Sequence, residues 1–98
     1  MRVGEVIGKV ILSRCHPAVQ AGTWLVVVPL QHAGLLGDVA GREEPLVAYD
    51  EWGAAPGTLV AFCEGAEAGA PFHPEPKPLD AYIGCILDSL EVDPVPPP

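Results

Sequence analysis

The sequence predicts a small all-β domain closed into a barrel, and three observations point that way. Its apolar residues fall in short runs rich in β-branched and aromatic side chains, the composition that suits a pleated surface. Clusters of glycine, proline and polar residues separate the runs, as turns do. The 98 residues leave room for one domain, and a short sheet of four or five strands removes its unpaired edges by closing on itself. A five-stranded barrel of the oligonucleotide-binding type fits this count. Hydrophobic residues make up 49% and charged residues 18% of the chain, enough apolar material to fold rather than remain disordered. A domain this small is marginal alone, and association would help it.

Met1 to Leu12 reads as a long first strand, because Gly4 and Gly8 would each weaken a helix by about 1 kcal/mol relative to alanine. Alternation puts Arg2, Gly4, Val6, Gly8, Val10 and Leu12 on one face, and Val3, Glu5, Ile7, Lys9 and Ile11 on the other. Glycines on the first face signal a bend or a close backbone approach. After the polar stretch Ser13 to Gly22, Thr23 to Val28 forms the second strand and ends at Pro29. Gln31 to Glu44, with Gly34, Gly37 and Gly41, is a long exposed connection. Pro45 to Tyr49 supplies the third strand, the cluster Asp50 to Gly57 a turn, Thr58 to Cys63 the fourth strand, and Gly65 begins another turn.

The last element, Asp80 to Val92, is ambiguous by pattern alone. Ile83, Ile86, Leu87 and Leu90 have the spacing of a helical stripe, and Asp80 could cap such a helix. Gly84 in mid-run and the β-preferring Tyr82, Ile83, Ile86 and Val92 favour a strand. The final residues 93–98 hold four prolines and form an expected disordered tail after a single domain at 1–92.

The formal net charge of −8 excludes the cationic surface that nucleic acid requires. Trp24 to Leu30 is far short of the roughly 20 apolar residues of a membrane-crossing helix, and the N-terminus lacks the pattern of a signal peptide. No membrane partner is expected. Cys15, Cys63 and Cys85 are an odd set at wide spacing, and the latter two lie in apolar runs, which fits reduced, buried thiols in a cytoplasmic protein. With His16, His32 and His73 they supply no local ligand spacing of a zinc site. Cys15 and His16 are adjacent but have no third orienting group, and the carboxylate pairs Glu43-Glu44 and Asp50-Glu51 lie in or beside turns, where solvated surface is the ordinary reading. No catalytic residue, cofactor or metal is therefore assigned.

Three segments resemble the EutN/CcmL family of bacterial microcompartment vertex proteins. Met1-Arg2-Val3-Gly4-Glu5-Val6-Ile7-Gly8-Lys9-Val10 is similar to the family's opening V-x-G-x-V strand. Gly53-Ala54-Ala55-Pro56-Gly57-Thr58-Leu59-Val60 is similar to its G-A-G-x-G-E-x-V turn and strand, with Ala55 for the middle glycine and Thr58 for the acid. Lys77-Pro78-Leu79-Asp80-Ala81-Tyr82-Ile83-Gly84-Cys85-Ile86-Leu87-Asp88 resembles the closing K-P-[VIL]-D-A-x-[VI]-x-[AG]-[IV]-[IV]-D, the most specific of the three. The family's G-S-x-A-R sequence after the fourth strand is replaced by Gly65-Ala66-Glu67-Ala68-Gly69, without the arginine.

The resemblance implies a five-stranded barrel with a short helix after the fourth strand, and Ala81 to Val92 as a strand. It also implies a homopentamer that caps the corners of a polyhedral shell tiled by hexameric shell proteins. A cyclic ring needs two complementary patches on each subunit, joined head to tail. Trp52, Gly53, Ala54, Gly57 and Gly65 are the candidates for that interface or for the ring axis: large aromatics contribute much of an interface's energy, and glycines let backbones crowd. The competing expectation is an acidic barrel acting as an adaptor for protein or small-molecule partners.

Overall fold

Alternation along the first strand decides where the core lies. In the computed structural model, which describes residues 1–94, β1 spans Arg2–Val10 and buries Gly4 and Val6 while Ile7 and Lys9 face outward. The strand has the expected faces and loses only its ends to the flanking turns. Gly4 stands where a side chain has no room: a Cβ there would meet Val27 Cγ1 at 2.5 Å and Phe62 Cε1 at 3.0 Å. Beyond Val6 the pairing with the second strand shifts register at a bulge, so Gly8 lies opposite Val26.

The remaining strands are β2 (Thr23–Pro29), β3 (Leu46–Asp50), β4 (Leu59–Glu64) and β5 (Ala81–Ile86). They close a barrel in the order β1-β2-β3-β5-β4, with every pairing antiparallel except that of β3 with β5. Val6, Leu25, Val27, Val60, Phe62 and Ile83 fill the interior at 0 or 1% exposure. Full burial of such side chains contributes about 1.5–3 kcal/mol each, so this interior is the main source of stability.

A second cluster lies outside the sheet. Tyr49 and Tyr82, whose strand neighbours Ala48 and Ile83 point inward, pack with Val19 and Ala68 and with Trp24, Phe72 and Leu79. The Tyr49 ring centroid stands 5.3 Å from Trp24 and 6.3 Å from both Phe72 and Tyr82. The lid over this cluster comes from the β1–β2 loop, with a 3-10 turn at Pro17–Val19, and from a 3-10 helix over Gly65–Phe72. Lys77 joins the two loops, its Nζ donating to the Ala18 carbonyl.

The expected short helix after the fourth strand is present as the 3-10 helix Gly65–Phe72, while the expected end of the last strand needs correction. The only α-helix among the described residues, α1 (His32–Leu35), lies in the β2–β3 connection, and the segment after β4 is 3-10 helical. Pro71 lies inside that segment, and proline lacks the N–H an α-helical ladder requires. Strand β5 stops at Ile86 rather than Val92 because β4 begins at Leu59. After the Val60–Ile86 pair, one bond from Leu87 N–H to the Leu59 carbonyl completes the ladder, and no strand residue remains to pair with. The chain then passes α1, where His32 Nε2 lies 2.7 Å from the Asp93 carbonyl oxygen. Of the expected tail at 93–98, residues 95–98 lie outside the described residues.

Candidate assembly interface

Asp50 builds the surface around Trp52. It ends β3 with 1% exposure, and its carboxylate accepts from three successive amides: Trp52 N–H at 3.0 Å, Gly53 N–H at 2.9 Å and Ala54 N–H at 2.9 Å. A buried carboxylate is tolerable when hydrogen bonds replace its water, and this one has several. The chain reverses at Gly53, whose φ is +81°. Trp52 is thrown outward, 58% exposed, with its Nε1–H donating to the Ile83 carbonyl at 2.9 Å. Its ring is thereby fixed beside Gly84, Cys85 and Ile86, which with it line an open apolar hollow of about 280 Å³.

The five candidate residues are not gathered at one point. Ala54 is 6% exposed and belongs to the barrel core, so it supports the turn from below. Gly57 precedes β4 and Gly65 follows it, at opposite ends of that strand. Gly57 has φ +90°, donates its N–H to the Val6 carbonyl at 2.7 Å, and so ties the turn to β1. Gly65, at φ +65°, donates to the Asp80 carbonyl at 2.8 Å and opens the loop toward β5. A Cβ at Gly53, Gly57 or Gly65 would meet nothing within 4 Å, so within the chain it is backbone conformation, not crowding, that requires glycine.

Several residues escaped the sequence. Asp50 looked like solvated turn surface, yet it is the buried centre of the Trp52 turn; an aspartate followed by a glycine three positions on is the local signal. Cys85 was expected buried and is exposed, because it lies on the outward side of β5 opposite Ala61; Cys63 is half-buried and so is Cys15. Exposed Ile7 and Ile11 also went unmarked, although alternation sets them on the same face as Glu5 and Lys9.

Tyr82 connects this surface to the aromatic cluster, its hydroxyl donating to Glu51 Oε1 at 3.3 Å. Burial pushes the Tyr82 phenol above its ordinary value, and the neighbouring Glu51 carboxylate adds to the rise. Tyr49 is raised for the same two reasons, burial first. Among the described residues no three histidine, cysteine or carboxylate side chains gather as a metal site would require.

The chain matches the family described as "Ethanolamine utilisation protein EutN/carboxysome" over residues 1–88. It belongs to the EutN/CcmL family. It is 30% identical over 93 residues to the carboxysome shell vertex protein CcmL of Synechococcus elongatus, covering 95% of this chain and 89% of that one. Among solved structures it is similar to CcmL of Gloeobacter violaceus, with 29% identity, a TM-score of 0.74, and 95% and 91% of the two chains covered. It is likewise similar to GrpN, a pentameric microcompartment shell protein from Rhodospirillum rubrum, with 25% identity, a TM-score of 0.75, and 95% and 100% covered. The EutN/CcmL fold is thus this barrel, and the K-P-L-D-A-Y-I-G-C-I-L-D segment that carried the resemblance forms the entry to β5 and the whole of that strand.

Proposed function

We propose that this chain is a structural, non-enzymatic shell protein whose copies close into a homopentamer and cap the vertices of a polyhedral bacterial microcompartment in the cytoplasm. What carries the proposal is its likeness to a pentameric microcompartment shell protein across 95% of its length. Hexagons alone tile a plane, so a closed shell of hexameric shell proteins needs pentagons to introduce curvature. Each copy then makes one head-to-tail contact on either side, and a fixed rotation per step closes the ring. The exposed, immobilised Trp52 supports a role as the centre of one such contact: its ring is held in place before association, so little rotamer entropy is lost on burial. Gly53 and Ala54 form its turn, and Gly57 and Gly65 are the remaining candidates for interface or axis positions. No cofactor and no nucleic acid enter this role. No observation favours the adaptor over the shell protein.

The test is deletion of the gene in the native host. Electron microscopy should then show shells that fail to close, and restoring the gene should restore closure. Normally sealed shells in the deletion strain would remove the proposed function.

A further inference from the structure

A ring of identical copies needs a second patch to receive the Trp52 turn, and an apolar cleft lies across the barrel from it. The cleft is at the root of the β1–β2 loop, encloses about 230 Å³ and is lined by Val10, Leu12, Cys15, Val19 and Trp24, with Lys9 at its edge. Ile11, 89% exposed, and Leu12, 44% exposed, leave its rim apolar and open to solvent. The Trp52 hollow lies on β5, and the cleft on β1 and β2. In the barrel order, β3 stands between these flanks on one side and β4 on the other.

Charge selects the pairing. In a chain of net charge −8, three of the five cations are paired within the chain: Arg2 with Glu43 and Glu64, Arg42 with Glu5, and Lys77 with Glu75. Lys9 and Arg14 make no ion pair among the described residues and both are exposed; Lys9 lines the cleft, and Arg14 directly precedes its lining residue Cys15. The Trp52 turn carries the opposite sign, with exposed Glu51 preceding Trp52 and accepting from the Tyr82 hydroxyl. An apolar knob flanked by an acid and an apolar socket flanked by two bases are complementary surfaces.

We infer that Trp52 of one copy seats in the Val10–Trp24 cleft of the next, with Glu51 facing Lys9 and Arg14 across the joint. This assignment rests on the homopentamer proposed above and names its two faces. Trp52 supplies the buried contact, and the charges fix which way round the copies meet. Truncating Trp52 to alanine should weaken ring assembly by about 30-fold, the scale of an interface hot spot.

Zero-length carbodiimide coupling of the unaltered protein tests the pairing directly. Lys9 and Lys77 are the chain's two lysines, and Lys77 is enclosed between loops with its side chain 10% exposed. In a mixture of isotopically labelled and unlabelled chains, mass mapping should find Lys9 amide-linked to Glu51 of a differently labelled copy. Intermolecular links at Lys9 that go only to other carboxylates, or no intermolecular link at all from an assembled ring, would overturn the pairing and leave the pentamer standing. A native particle that is never a ring would instead overturn the homopentamer on which the pairing rests. Charge reversal gives an independent reading. Lys9→Glu with Arg14→Glu should release single chains, adding Glu51→Lys should restore the ring, and Glu67→Lys at an exposed site elsewhere should not.

Discussion

A single buried carboxylate determines how Trp52 is presented. With Asp50 removed, the three amides of Trp52, Gly53 and Ala54 lose their common acceptor in a poorly solvated corner. Asp50→Ala should therefore destabilise the fold by about 3 kcal/mol, read from the urea midpoint, with Asp50→Asn closer to the parent because one oxygen still accepts. The tyrosines carry a pH signature. Tyr49 and Tyr82 both have raised values in the folded chain, against an ordinary 10.0, so folding favours their neutral forms. Their contribution is complete below pH 10 and is lost as pH rises through the raised values. Phenolate absorbance should lag behind free tyrosine above pH 10 and appear together with loss of structure; two phenols titrating normally in an intact fold would contradict this. At this scale the sequence was uneven as a guide. Trp52 could be singled out because a large aromatic beside a turn has few reasons to be there, whereas Asp50 and Cys85 were misplaced because burial of one and exposure of the other depend on neighbours distant in the chain.

The turns and the last strand show where local chemistry suffices. Gly57 holds φ +90° and bonds its N–H to the Val6 carbonyl, so a β-branched replacement meets backbone strain even though a Cβ has open space. Gly57→Val should cost about 1–3 kcal/mol by thermal or chemical unfolding, and Gly57→Asn less, because asparagine tolerates the left-handed region. Equal losses from both would point to a steric role instead. Strands β1 to β4 were legible because β-branched composition and turn residues are local signals. The last element was not. Ile83, Ile86, Leu87 and Leu90 carry helical spacing, and what makes residues 81–86 a strand is pairing with β4 and, through Tyr82, with β3, none of which pattern contains. The family motif supplied what periodicity lacked, yet overran the end of β5. The four-residue helix α1 is too short to have a periodicity.

The molecule as a whole is a closed barrel, and its exposed apolar groups include Trp52 and Ile86 on one flank and Ile11 and Leu12 on another. Barrel closure satisfies the sheet edges, so association would come from side-chain contact, which the proposed pairing places across these flanks. Barrel class was readable from composition and punctuation, and the ring from family resemblance alone, since nothing in one chain's periodicity specifies how many copies meet. The central claim is therefore a statement about number. Native mass measurement of the unaltered protein at micromolar concentration should give a particle of five times the chain mass. A single chain or a pair at that concentration would contradict it.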